Sequence, residues 1–216
     1  MLARIGSFLA ELPRQIGYVV GPRIMSALRK RWVLLRHPHA NIVFKGPVYI
    51  GPGFSLHIPG PGSFIVGPHV EFRRGFRAEV DADGRIEIGA RSAFTYDVVL
   101  QCSTSIEIGE RVMFGQSTMV VDGNHRFRDL DRPMLEQGFD FSPVRIGDDV
   151  TITSKCTIVG TEIGERAFIG ANTVVTHPIP PYTIATGNPA RVVDYFGPEG
   201  LEPEELAGRR GSSDGG

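Results

Sequence analysis

Ile146-Gly-Asp-Asp-Val-Thr-Ile152 is answered downstream by Ile163-Gly-Glu-Arg-Ala-Phe-Ile169-Gly-Ala-Asn-Thr-Val-Val175, so a branched apolar residue recurs at six-residue steps with Gly often behind it. The same phrase opens at Val66-Gly-Pro-His-Val-Glu-Phe72, at Ile88-Gly-Ala-Arg-Ser-Ala-Phe94 with Leu100 beyond, and at Ile108-Gly-Glu-Arg-Val-Met-Phe114 with Val120 beyond. Each hexad supplies a short strand and a corner. The apolar residue points to the axis, and a small residue relieves crowding where the chain bends. Several phased blocks of this kind mark a parallel β-helix, with coils stacked about 4.8 Å apart.

Working outward, 216 residues with 41% hydrophobic content suit one continuous core rather than two independent ones. The 27 glycines and 16 prolines fit a fold with three corners per coil. A net charge of −1 offers no strongly basic field for bulk nucleic-acid binding. The two cysteines, Cys102 and Cys156, lie far apart and outside any metal-type spacing, which points to a reducing, cytoplasmic setting. Cys156 falls at a small-residue position of its hexad, and both thiols read as structural fillers.

Residues 1–41 lack hexads and carry seven basic residues (Arg4, Arg14, Arg23, Arg29, Lys30, Arg31, Arg36) against the single acid Glu11. They show neither a signal-peptide pattern nor an apolar run long enough to cross a bilayer. Ile5, Phe8, Leu9 and Leu12 are spaced for one helical face, and Ile24, Met25, Leu28, Trp32 and Leu35 for a second, with Pro13 and Pro22 between. Two short amphipathic helices capping the open end of the solenoid are expected. Peripheral contact with the inner face of an anionic membrane is the alternative.

The solenoid is expected over 42–186. It should begin irregularly because of Pro47, Pro52, Pro59 and Pro61, and wind regularly from Val66, with short bulges such as Asp81–Gly84. Its largest interruption, 121–145, should protrude as a functional loop. Residues 187–196 form a terminal segment, and 197–216, rich in Gly, Glu and Ser, a disordered tail. His125 stands at the mouth of the long loop beside Asn124, where an imidazole can take a proton from a substrate hydroxyl near neutral pH.

The hexad consensus resembles that of the left-handed β-helix acyltransferases, whose crossovers depart from the right-handed rule for parallel strands. The expected fold is therefore all-β, a left-handed parallel β-helix with a helical N-terminal region and a protruding loop. The stretch Ile88–Arg191 is similar to the hexapeptide O-acetyltransferases of the maltose, galactoside and nodulation-factor type. The loop phrase Asp131-Arg-Pro-Met-Leu-Glu-Gln-Gly138 is similar to the version in bacterial cell-surface sugar acetyltransferases. Gly187-Asn-Pro-Ala-Arg191 reads like the family's terminal phrase.

The resemblance implies that His125 is the general base and that acetyl-CoA is the co-substrate, held in a groove between subunits of a homotrimer. It places Ser154, Ala171, Thr176, His177 and Arg191 along the coenzyme, and Thr95, Asp97 and Asn124 at the acceptor, a sugar, polysaccharide precursor or glycolipid. Three positions depart from the family's pattern: Thr95 replaces its usual Asn, Thr151 its usual Trp, and His177 its usual Lys. No metal is implied. His37, His39, His57, His69 and His177 give no zinc-type spacing with His125. A non-catalytic trimeric scaffold is the rival reading, because fold alone does not fix function.

Overall fold

The structure, a computed structural model, describes residues 20–81 and 83–203. The expected first helix (Ile5, Phe8, Leu9, Leu12) and residues 204–216 of the expected tail lie outside the described residues. From Asn41 the chain winds as a left-handed parallel β-helix. Its first face stacks Asn41–Phe44, Ser63–Val66, Arg85–Ile88, Ser105–Ile108, Val144–Ile146 and Glu162–Ile163. The second stacks Val48–Ile50, Val70–Phe72, Ala93–Phe94, Met113–Phe114, Thr151–Ile152 and Phe168–Ile169, then Thr183–Thr186 and the antiparallel Arg191–Tyr195. The third stacks Ser55–His57, Arg77–Val80, Val99–Cys102, Met119–Val121, Thr157–Val159 and Val174–Val175.

The register puts the hexad residues in columns on the axis. Ile88, Ile108, Ile146 and Ile163 stack on one face. Phe72, Phe94, Phe114, Ile152 and Ile169 stack on the second, and Leu100, Val120, Ile158 and Val175 on the third. All are buried. The Phe94 and Phe114 rings lie stacked with centroids 4.6 Å apart and planes 9° from parallel, and Phe72 stacks on Phe94 at 5.1 Å.

Two of the three corners turn through left-handed backbone. His69, Arg91, Arg111, Asp149, Arg166 and Tyr182 line the corner between the first and second faces at φ of 56° to 62°. Asp97, Ser117, Lys155 and Asn172 continue the next corner from Gly53 and Gly75. L-residues in this region carry a penalty of about 1–2 kcal/mol each. Here it is offset by ladder bonds such as Arg91 N–H to Pro68 O at 2.9 Å and Arg111 N–H to Ala90 O at 2.9 Å. The glycine after each hexad isoleucine has a different cause, since a Cβ at Gly147 would lie 2.6 Å from the Glu165 nitrogen one coil on.

The irregular start expected before Val66 is corrected: winding is regular from Asn41, and residues 41–57 make a full coil. Pro47 and Pro52 are not breaks. They sit at corners, where a missing N–H is harmless, and their carbonyls accept His69 N–H at 2.6 Å and Gly75 N–H at 2.9 Å. The long interruption is also more ordered than a plain loop. Gly123–His125 pairs antiparallel with Phe139–Phe141, and a short 3-10 turn spans Met134–Glu136.

Helix α1, Gly21–Arg36, starts with Pro22 in its first turn and ends at His37, whose ring nitrogen Nδ1 lies 3.0 Å from the Val33 carbonyl. It lies against the first coil with its polar side. Ser26 Oγ accepts the Ile50 N–H at 2.7 Å, Arg29 donates to Ile50 O at 3.1 Å, and Lys30 donates to Gly46 O at 3.2 Å. These bonds satisfy main-chain groups of an edge strand that no further coil pairs. The expected apolar stripe therefore faces away from the solenoid, and only Ser26 and Val33 of this helix are buried.

Candidate functional site

The chain leaves the solenoid at the end of Met119–Val121, and the next residue is fully buried: the Asp122 side chain is 1% exposed. Its carboxylate accepts the N–H groups of Ser103 (2.7 Å), Thr104 (2.6 Å) and Ser105 (2.9 Å) and the Thr104 hydroxyl (2.9 Å). Its carbonyl accepts Ser142 N–H at 2.8 Å, which closes the neck of the loop. A carboxylate can be buried at this depth because four donors, three of them on Oδ2, replace the water it gives up. This anchor was not singled out in the sequence. Its only signal there is an Asp three residues before His125, at the point where the hexads stop.

His125 lies at the far end of Gly123–His125, exposed, opposite Phe139 in the hairpin. The two rings are 4.2 Å apart and tilted by 39°, which holds the imidazole against one wall. It opens onto a cavity of about 310 Å³ lined also by Phe127, Arg128, Asp129, Arg132 and Asp140. Arg126 and Asp140 brace the hairpin by an ion pair at 2.7 Å, and Gln137 stitches the tip through Asp129 and Arg132 main chain. Asn124, paired with Asp140, is exposed beside His125.

The remaining candidates divide between two edges of the third face. Thr95 and Asp97, then, two coils on, Ser154, and on the coil after that Ala171 line the corner entering that face. The links are main-chain bonds from Ser117 to Tyr96 (2.8 Å), Lys155 to Gln116 (2.8 Å) and Asn172 to Ser154 (3.0 Å). Thr153 and Lys155 donate to Ile169 and Gln116, while the Ser154 N–H between them joins no such ladder bond among the described residues. The Thr95 hydroxyl is buried without a partner, and Asp97 projects over Gly75. Gly187-Asn-Pro-Ala-Arg191 turns beneath this column, tied by Gly187 N–H to Thr173 Oγ1 at 3.2 Å and Ala190 N–H to Val174 O at 2.8 Å. Arg191 there is exposed.

Thr176 and His177 lie at the opposite edge, past Val174–Val175, with Thr176 Oγ1 and His177 Nδ1 2.9 Å apart. That is also the edge from which the His125 hairpin departs, since Gly160 N–H bonds Val121 O at 2.9 Å. A strand of three or four residues separates the two edges, on the order of 10 Å. One chain therefore brings His125, Asn124, Thr176 and His177 to one edge and Thr95, Asp97, Ser154, Ala171 and Arg191 to the other. A larger groove, about 770 Å³, follows the glycine and proline corner around Gly89, Gly109, Gly147 and Pro181, away from both sets.

The two thiols are buried. Burial, reinforced by the Asp122 charge, pushes Cys102 up to about 12, and burial also raises Cys156. Neither is a ready thiolate near neutral pH.

Residues 143–177 match the family model described as the hexapeptide repeat of succinyl-transferase. A probable acetyltransferase of Mycobacterium tuberculosis is 35% identical over 172 residues, covering 77% of this chain and 56% of that protein. Among solved structures, a hexapeptide-repeat acetyltransferase of Vibrio cholerae complexed with acetyl coenzyme A superposes with TM-score 0.55 at 25% identity, over 79% of this chain and 78% of that one. A maltose O-acetyltransferase of Clostridium difficile gives TM-score 0.54 at 27% identity, over 79% and 76%. By repeat and by fold, the chain is a hexapeptide-repeat left-handed β-helix similar to these acetyltransferases. It spans about half the length of three of the curated relatives it matches, 52% to 56%, and about a third of others.

Proposed function

We propose that this protein is a coenzyme A-dependent O-acyltransferase that moves an acetyl group from acetyl-CoA to a hydroxyl of a sugar, a polysaccharide precursor or a glycolipid. The observation that carries the reading is His125. It is an exposed imidazole on a rigid hairpin, rooted in the solenoid by the buried Asp122 and facing a cavity large enough for a sugar ring. The likeness to acetyltransferases of the same repeat supports the donor.

In this reaction the His125 imidazole accepts the acceptor's hydroxyl proton while the oxygen attacks the thioester carbonyl. The Ser154 N–H, outside the ladder, donates to the oxyanion that forms. Collapse of the tetrahedral intermediate breaks the carbon–sulfur bond. The leaving thiolate recovers the proton from the imidazolium. Arg191 pairs with a phosphate of the coenzyme, Ala171, Thr176 and His177 line its path, and Thr95, Asp97 and Asn124 orient the acceptor.

The working form is a homotrimer. The two candidate edges of one chain stand too far apart for hydrogen-bond contact across a single reacting centre, whereas neighbouring subunits can bring one edge of each into a shared groove. Release of free thiol from acetyl-CoA in the presence of mono-, oligo- and lipid-linked sugars tests the function. His125→Ala should lower turnover by about 10² to 10⁴ without loss of coenzyme binding. Absence of thiol release with every acceptor would favour the scaffold reading.

A further inference from the structure

Helix α1 is amphipathic in the inverse sense to a cap. With 100° per residue and Ser26 at the origin, the docked residues Arg29, Lys30 and Val33 fall within about 60° of it. Ile24, Met25, Leu28, Trp32 and Leu35 fall between about 160° and 260°, directly opposite. These five side chains are 46% to 66% exposed. Arg31 and Arg36, both exposed, flank the stripe at about 140° and 280°. No acidic residue occurs in Gly21–Arg36.

The geometry points to α1 as a docking surface for an anionic lipid leaflet, lying in the interface with Trp32 and the leucines submerged and Arg31 and Arg36 reaching lipid phosphates. Charge selects this occupant. A second copy of the helix would bring arginine against arginine. Residues 1–19 carry Arg4 and Arg14 against the single acid Glu11, so that segment would bring like charge as well. An anionic leaflet satisfies the apolar centre and the cationic rim together. The polar side of the helix is already committed to the first coil, so docking needs no refolding. No described helix is long and apolar enough to cross a membrane. This contact does not depend on the catalytic reading, and it would place the enzyme beside lipid-linked acceptors.

Trp32 is the sole tryptophan of the chain, so its fluorescence reports this face alone. In full-length protein without lipid its emission should be that of a solvent-exposed indole. Vesicles of phosphatidylcholine mixed with phosphatidylglycerol should shift it to the blue, and phosphatidylcholine alone should not. Salt that shortens the Debye length from about 10 Å to about 3 Å should reverse the shift. Arg31→Gln together with Arg36→Gln should weaken vesicle affinity by roughly 10- to 30-fold while leaving oligomeric mass unchanged. A blue emission before lipid is added would overturn the proposal, because residues 1–19 or another copy would then cover the face. Equal response to neutral and anionic vesicles, or to neither, would also overturn it. Thiol release measured without vesicles keeps the catalytic reading separate from either result.

Discussion

The Asp122 carboxylate holds Thr104 twice, accepting its N–H at 2.6 Å and its hydroxyl at 2.9 Å, and thereby fixes the root of the His125 hairpin to the preceding coil. The link joins strand to corner at a place where the solenoid pattern alone gives no instruction.

Asp122→Ala strips the part-buried N–H groups of Ser103, Thr104 and Ser105 of their acceptor. Each orphaned donor costs about 1–3 kcal/mol, so unfolding free energy should fall by roughly 3 kcal/mol or more, read from urea midpoints. Asp122→Asn retains one acceptor oxygen and should fold. Its kcat should drop while KM for acetyl-CoA is preserved, since the hairpin and not the coenzyme edge is disturbed. An Asp122→Asn enzyme with unchanged kcat would deny the residue any part in positioning His125.

Mixed assemblies test the proposed trimer with its shared site. His125→Ala and Arg191→Ala chains, each impaired alone, should recover part of the activity when unfolded together and co-refolded, because some grooves then receive an intact residue from each neighbour. Failure to recover activity in verified mixed trimers would place both residues in one subunit's site.

The thiols offer a pH test. With Cys102 raised from an ordinary value of 9.0 to about 12, native protein at pH 8 should resist alkylation at both cysteines, and kinetics should be sequential with no acyl-enzyme. Folding here disfavours the thiolate, so stability is intact below pH 9 and declines as pH climbs towards 12. Cys102→Ala should flatten that alkaline decline in thermal melts. Rapid labelling of native Cys102 at pH 8 would contradict this account.

Phe94→Ala empties the centre of the Phe72, Phe94 and Phe114 stack. A loss of about 3–5 kcal/mol is expected from denaturant titration. The solenoid couples each coil to its neighbours, so the midpoint should shift for probes on both sides of the stack.

The sequence by itself determined the winding. Hexad spacing is a local property, and Ile88, Phe94 and Leu100 had to reach one axis whatever the rest of the chain did. The regular first coil was misread because Pro47 and Pro52 look like breakers in sequence, whereas a corner is one of the few places where a missing N–H goes unnoticed. The left-handed φ of Arg91 has no signature in its residue type, because bonds from adjacent coils impose it, whereas Asn172 is of a type that tolerates it. The candidate site residues came from family resemblance, with His125 marked also by the break in the repeat. Only the tertiary structure decided which candidates share an edge, that Asp122 pins the hairpin, and that α1 turns its apolar stripe outward. Each of these depends on stacking between residues far apart in the chain, so the energies that choose them are absent from any short window of sequence.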